Sequence, residues 1–130
     1  FASISEEKGL FAYAEGKWTI KEVLGHIIDA ERVFAYRIFR ISRKDETPLE
    51  TFDENEYIAN SDFNQRTIAE MLEEFSLLRR ANLLLLNSFP DTAWVLRGTA
   101  SGFPVSVRAL AYIMFGHAAH HTKILQERYF

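Results

Sequence analysis

Three long stretches of the chain place apolar residues at every third or fourth position. They cover positions 20–41, 68–89 and 107–124. This period puts the apolar side chains on one face of an α-helix, whereas a half-buried strand would alternate at every second residue. Strand-like alternation nowhere extends beyond a few residues. A chain of 130 residues with this pattern predicts an all-α fold with a substantial core.

Each of the three helices begins with a capping signal. Thr19 and Glu22 have the spacing of a capping box, in which two side chains satisfy backbone N–H groups of the first turn. Thr67 and Glu70 repeat this spacing, and Ser106 is a suitable N-cap for the last helix. The expected helices span about 19–43, 67–89 and 106–128.

The remaining segments are expected to be the end of a further helix and two loops. Residues 1–9 resemble a helix tail that ends near Gly9, and an up-down four-helix bundle would cover the wide apolar faces. We therefore expect a single domain over 1–130 whose first helix is largely missing from this chain, its place taken by sequence before Phe1 or by a partner chain. Loops are expected at 44–63, with a short helical turn near 54–58, and at 91–104.

Histidine interrupts the apolar stripe of the last helix at two successive positions. His117 and His121 are four residues apart, so their side chains lie on one helix face about one turn apart. His26 lies on a wide apolar face of the first long helix, whereas His120 falls beside the stripe. Two interpretations stay open here: the three inward histidines bind a metal ion, or they are packed core residues. The stripe contains Val107, Leu110, Met114, His117, His121 and Ile124.

Three imidazoles on facing helices would suit zinc, nickel, iron or copper and would leave a coordination position open. Two known motifs do not fit. A metalloprotease helix needs Glu directly after the first His, where this chain has Ala118. The di-iron bundle motif needs Glu three residues before a His, a requirement that none of the three histidines meets. The sequence thus assigns no catalytic residue.

Several polar residues could support such a site. Glu22 or Asp29 could orient His26, although capping is the better role for Glu22. Glu31 interrupts an apolar stripe and could pair with Arg79 or Arg128, as a structural ion pair or a functional one. The polar run 53–57 could border a pocket, and Asn82 could fix the packing of its helix.

Composition excludes some classes of function. The chain has no cysteine, so thiolate ligands, disulfides and a cysteine nucleophile are excluded. Its formal net charge is −3 and it lacks a long basic run, which argues against nucleic-acid binding. No apolar stretch is long enough to span a membrane, and no signal peptide is apparent. We therefore expect a cytoplasmic protein without a membrane or nucleic-acid partner.

The segment Gly16–Arg32, read as GKWTIKEVLGHIIDAER, resembles the second-helix signature of the DinB/YfiT-like family of metalloenzymes. Ser106–Leu110, followed by Gly116–His121, resembles its last helix. This resemblance implies a four-helix bundle with a three-histidine site for a divalent metal. Its ligands, transferred position by position, would be His26, His117 and His121.

The resemblance also implies the classes of function to consider. Related members include transferases that use low-molecular-weight thiols, and homodimers are common. We expect a metal-dependent enzyme with zinc or nickel, or else iron, that transfers a low-molecular-weight thiol to a small electrophile. Without a general base in the motif, thiol transfer is favoured over hydrolysis. The alternatives are a metal-dependent hydrolase, a non-catalytic bundle that binds a metal or small ligand, and a helical interaction domain.

Overall fold

The computed structural model describes all residues, 1–130, and its framework is three long helices. The longest of these helices, α2, packs against both α4 and α6. None of the helices combines the length and the apolar character that crossing a membrane requires. The elements in chain order are α1 Glu6–Gly9, α2 Ile20–Ser42, α3 Glu54–Ala59, a 3₁₀ turn Phe63–Gln65, α4 Ile68–Asn87, α5 Asp91–Trp94, β1 Arg97–Ala100, β2 Phe103–Ser106 and α6 Val107–Arg128.

The predicted helix starts are confirmed. Thr19 accepts a hydrogen bond from the Glu22 amide, and the Glu22 carboxylate accepts one from the Thr19 amide at 2.8 Å. Thr67 and Glu70 form the same reciprocal pair at the start of α4. Ser106 caps α6 through the Ala109 amide. These caps fix where each helix begins, and thereby which side chains face the core.

The core is divided along α2. Near the start of α2, Ile20, Val23 and Ile27 pack on Leu125 and Tyr129 at the end of α6. The adjacent face of α2 packs on α3, on the 3₁₀ turn and on the start of α4. The other end of α2 packs on the beginning of α6, on the end of α4 and on the hairpin. Because α2 and α6 run in opposite directions, the early turns of α2 lie beside the late turns of α6.

The chain differs from the sequence prediction between α4 and α6. The segment 91–104, expected to be a loop, contains α5 and most of the hairpin β1–β2. Ser101 and Gly102 connect the two strands with φ of 52° and 80°, the left-handed conformation that a tight hairpin turn needs. The strands are only four residues long, so their alternation is too short to predict from sequence.

The segment between α2 and α4 is ordered against α2. Its helical turn, expected near 54–58, is confirmed as α3, with Asp53 as the N-cap. Gly25 of α2 allows the 3₁₀ turn to approach closely, since a Cβ at this position would lie 2.2 Å from the Phe63 ring. By contrast, the predicted helix tail before Gly9 is a single turn, α1.

Candidate metal centre

Three histidine side chains from two helices converge in the core between α2 and α6. His26 comes from the second turn of α2, and His117 and His121 come from successive turns of α6. One ligand atom from each ring can be chosen so that all three lie within 4.8 Å of one another. The Nε2 atoms of His26 and His117 are 2.9 Å apart, which is a hydrogen-bond distance. The structure therefore brings together all three inward histidines named from the sequence.

Apolar and aromatic side chains surround this histidine cluster. His26 is only 2% exposed, and the Trp18 ring packs on it with ring centroids 5.0 Å apart. The Phe34 ring packs edge-on against His117 at 5.5 Å. Such walls exclude water from part of the cluster and hold the imidazoles in place. Neither aromatic residue was singled out as a site residue by the sequence analysis, because both belong to ordinary apolar patterns.

Burial keeps the three imidazoles uncharged. Burial, followed by the neighbouring His117 and His121, lowers the pKa of His26 to about 3. Burial and the other two histidines of α6 lower the pKa of His121 to about 4. The pKa of His117 is also lowered, first by burial and then by His120. At neutral pH each ring is therefore a neutral imidazole with a nitrogen lone pair, the form that binds transition metals.

A carboxylate lies beside the cluster and comes from α3. Oε2 of Glu54 is 3.7 Å from Nε2 of His26, and the Glu54 side chain is 54% exposed. Because His26 is neutral, this contact is not an ion pair, and the carboxylate is available to a ligand. In the sequence, Glu54 is distinguished only as a member of the polar run 53–57. Its position depends on how the loop folds back onto α2, so local sequence patterns could not single it out.

An open cavity of about 300 Å³ reaches the cluster at His121. Asn55 of α3, the residue after Glu54, lines this cavity, and Trp18 and Ile124 form apolar parts of its wall. Two cationic residues, Lys17 and Arg128, line this cavity, and no acidic residue does. The cavity is thus small, partly apolar and positively charged at its rim.

A second polar cluster lies on the next turns of α2, and here the chain supplies every partner. Glu31 is 2% exposed and accepts two hydrogen bonds from Arg79, at 2.8 and 2.9 Å. Asn82 donates a third at 3.1 Å. The Arg79 guanidinium also lies over the Phe115 ring, 4.6 Å from its centroid, and so links α4 to α6. Of the two arginines proposed as partners of Glu31, Arg79 is therefore confirmed.

Other residues named from the sequence have structural roles or lie apart. Glu22 caps α2 and accepts a hydrogen bond from Asn64, so it does not orient His26. Asp29 likewise makes no hydrogen bond to His26. Burial raises the pKa of the Asp29 carboxyl group. Arg128 donates to the Tyr13 hydroxyl at 3.1 Å rather than to Glu31. His120 is exposed, with its ring centroid 5.3 Å from that of His121.

Comparison with known proteins agrees with this architecture. A sequence profile of the DinB superfamily matches residues 1–125. The structure is similar to YfiT from Bacillus subtilis, a probable metal-dependent hydrolase with an unusual four-helix bundle topology. The two share 17% sequence identity with a TM-score of 0.77, over 97% of this chain and 75% of that one. No curated protein matches the chain in sequence. The similarity in structure shows that the fold is a four-helix bundle of this type.

Proposed function

The chain belongs to the DinB superfamily, and from this premise we propose that it is a metal-dependent hydrolase acting on a small anionic substrate. His26, His117 and His121 are the proposed ligands of a divalent ion. The observation that carries the proposal is their convergence as three neutral imidazoles in one cluster, with His26 buried and the other two half-buried. The structural similarity to a probable metal-dependent hydrolase supports it.

The donor set fits a divalent transition metal. Two nitrogen atoms bound to a tetrahedral zinc ion at 2.0–2.1 Å lie about 3.3 Å apart. The chosen ligand atoms lie within 4.8 Å of one another, so small ring rotations would bring them to that spacing. Zinc and nickel are the ions we favour, with iron as the third, because all three accept imidazole. The bound ion would supply a Lewis acid with an open coordination position.

The position of Glu54 favours hydrolysis over thiol transfer as the proposed reaction. Thiol transfer was favoured from the sequence because no general base was apparent beside the histidines. The Glu54 carboxylate lies 3.7 Å from Nε2 of His26 and its side chain is 54% exposed, so it is accessible to solvent beside the cluster. We assign it the role of general base, which takes a proton from the attacking water. This assignment favours hydrolysis, while thiol transfer stays a prediction from the sequence.

The cavity beside His121 is the proposed substrate site. Its volume of about 300 Å³ suits a small molecule. Lys17 and Arg128 would attract a negatively charged group, and no acidic residue lines this cavity. The Glu54 carboxylate lies outside it, beside His26. Asn55 is placed to donate a hydrogen bond to the substrate. Trp18 would pack on an apolar part of it.

Metal content is the first test. Elemental analysis of the purified, untagged protein should find a transition metal at close to one equivalent. The His117→Ala/His121→Ala variant should lose it, whereas His120→Ala should retain it as a matched histidine control. Lack of metal in the wild type after incubation with zinc, nickel and ferrous iron would instead identify the histidines as packed core residues.

Activity is the second test, and Glu54 provides its control. Small esters and amides, with and without a carboxylate, should be screened in parallel with a thiol and an electrophile. We expect Glu54→Gln to reduce kcat of hydrolysis by about a hundredfold or more while leaving metal content unchanged. Glu56→Gln, an exposed neighbour on α3, should retain full activity. Thiol-dependent turnover without hydrolysis would exclude the hydrolase and establish the transferase.

Three further expectations from the sequence stay predictions. They are a single domain over 1–130, a homodimer and a cytoplasmic location. Analytical ultracentrifugation tests the homodimer, and limited proteolysis tests the single domain. The three predictions are independent of the proposed chemistry, which needs residues of one chain only.

A further inference from the structure

A second cavity shares no lining residue with the substrate site proposed above, and its wall contains a buried arginine. This cavity, of about 540 Å³, lies between α2 and the segment 47–57. Arg37 of α2 lines it and is only 7% exposed. A buried charge normally has a partner of opposite charge, because removing it from water is costly. No carboxylate lies within ion-pair distance of Arg37.

The hydrogen bonds of Arg37 use one end of its guanidinium. Nη2 donates to the Glu50 carbonyl at 2.9 Å and to the Ser101 hydroxyl at 3.0 Å. Nε and Nη1 make no hydrogen bond within the chain, and neither atom is fully enclosed. Three N–H donors are therefore available to a ligand. Burial also lowers the pKa of Arg37, which is consistent with a cation in a poorly hydrated place.

The other two arginines of this cavity are already paired. Nε of Arg40 lies 2.6 Å from Asp45, and Nη2 of Arg32 lies 2.6 Å from Glu74. Glu50, the one acidic residue in the wall, keeps its carboxylate beyond ion-pair distance of Arg37. Arg37 is thus the one arginine of this cavity without a carboxylate partner. The Glu50 carboxylate in the same wall would repel a second negative charge on a ligand. That balance favours a monoanion over a doubly charged phosphate.

Three aromatic side chains form part of the wall. The Phe52 ring lies 6.0 Å from the Arg37 guanidinium carbon, and the Phe52 and Tyr57 rings are 5.2 Å apart. Tyr36 also lines the cavity. Flat apolar groups pack well on such rings. We propose that this cavity is a binding site for a small carboxylate with a flat apolar body, and that Nε and Nη1 of Arg37 donate to its carboxylate.

Benzoate and benzyl alcohol are the matched probes, since they share a ring and differ in charge. Titration followed by ¹H–¹⁵N NMR reports the Arg37 Nε–H resonance directly. Benzoate should shift it in a saturable way, and benzyl alcohol should not. The comparison uses the wild-type protein only, so it stands even if an Arg37 variant does not fold. Absence of a saturable shift with benzoate, or equal shifts with the alcohol, would overturn the proposal.

Variants and a third probe sharpen the assignment. Arg37→Gln should weaken benzoate binding about tenfold or more, the loss expected for one hydrogen bond to a charged group. Arg43→Gln, an exposed arginine outside the cavity, should bind as the wild type does. Inorganic phosphate should bind more weakly than benzoate, and the reverse order would contradict the monoanion assignment.

One control separates this site from the histidine cluster, because benzoate could also bind a metal ion there. The titration is therefore repeated with His117→Ala/His121→Ala. Shifts at Arg37 should persist in this variant, whatever becomes of the proposed metal site. Their disappearance would place the benzoate site at the histidines and overturn the proposal.

Discussion

Two buried polar clusters lie on successive turns of α2, and they differ in whether the chain completes their interactions. Around Glu31, three hydrogen bonds from Arg79 and Asn82 hold the carboxylate, and an aromatic ring covers the guanidinium. Around His26, the histidine cluster has one internal hydrogen bond, and no carboxylate or backbone carbonyl fixes the rings. The Glu31 cluster is closed, because the chain supplies hydrogen-bond donors to both carboxylate oxygens, and it joins helices. The histidine cluster is open, because its imidazoles keep unused lone pairs, and it is suited to bind a ligand. The predictions below test this difference.

Breaking the closed cluster should have the largest effect on stability. Glu31→Gln leaves Arg79 half-buried without its carboxylate, so we expect a loss of about 3–5 kcal/mol in the free energy of unfolding. Urea denaturation measures it, and metal content of the folded fraction should be unchanged. Glu127→Gln, which removes an exposed pair with Lys123, is the control and should cost little. Equal losses in both variants would contradict a structural role for the Glu31 cluster.

Acid should destabilise the open cluster. In the unfolded chain histidine titrates near pH 6.5, whereas burial lowers the pKa of His26 to about 3 and that of His121 to about 4. Below pH 6.5 the unfolded state therefore binds more protons. The stability of metal-free protein should fall by about 2 kcal/mol for each of these two histidines between pH 6.5 and 5.

Urea denaturation of the metal-free protein at several pH values measures this effect. His121→Ala should reduce the pH dependence because one titrating group is gone. His120→Ala replaces an exposed ring and should leave the dependence as it is. A profile unaffected by His121→Ala would mean that the histidine cluster is not the source of the acid sensitivity.

Removing one proposed ligand should weaken metal binding without unfolding the protein. His26→Ala should reduce metal affinity about tenfold or more, because even changes behind the ligands typically cost that much. Competition with a chromogenic chelator measures the affinity. Unchanged affinity would show that His26 is not a metal ligand and that only His117 and His121 remain as candidates.

The smallest effect is expected at His120, the histidine that shares α6 with the pair but faces solvent. His120→Ala should change metal affinity by less than about threefold, since the proposed ligand set stays intact. The same chelator competition measures it. A large loss would mean that the pair on α6 is wrongly assigned and that His120 supplies a ligand.

Sequence patterns predicted the framework of the fold and the composition of the histidine cluster. Capping boxes placed the starts of α2 and α4, and helical spacing put His117 and His121 on one face. These features depend on residues close in sequence, where periodicity is informative. The pairing of Glu31 with Arg79, one of two candidates, needed the helix packing to decide it.

Features set by loop geometry could not be predicted in this way. Glu54 reaches His26 only because α3 folds back on α2, and the buried state of Arg37 depends on a carbonyl at Glu50 and a hydroxyl at Ser101. The hairpin was missed because each of its strands is only four residues long, too short for a strand pattern to be recognised. Contacts between segments distant in sequence decided the positions of Glu54 and Arg37.

The positions of the three histidines along the chain have a consequence for the lifetime of the folded protein. His26 and His117 are 91 residues apart, so the complete ligand set forms only when both ends of the domain have folded together. In the unfolded chain only the histidines within residues 117–121 are close in sequence, and His26 is not held beside them. An ion that prefers the native state adds about 4.1 kcal/mol of stability when its free concentration is about 1,000 times its Kd. Metal supply would then regulate how much of the protein survives proteolysis, independently of the proposed activity.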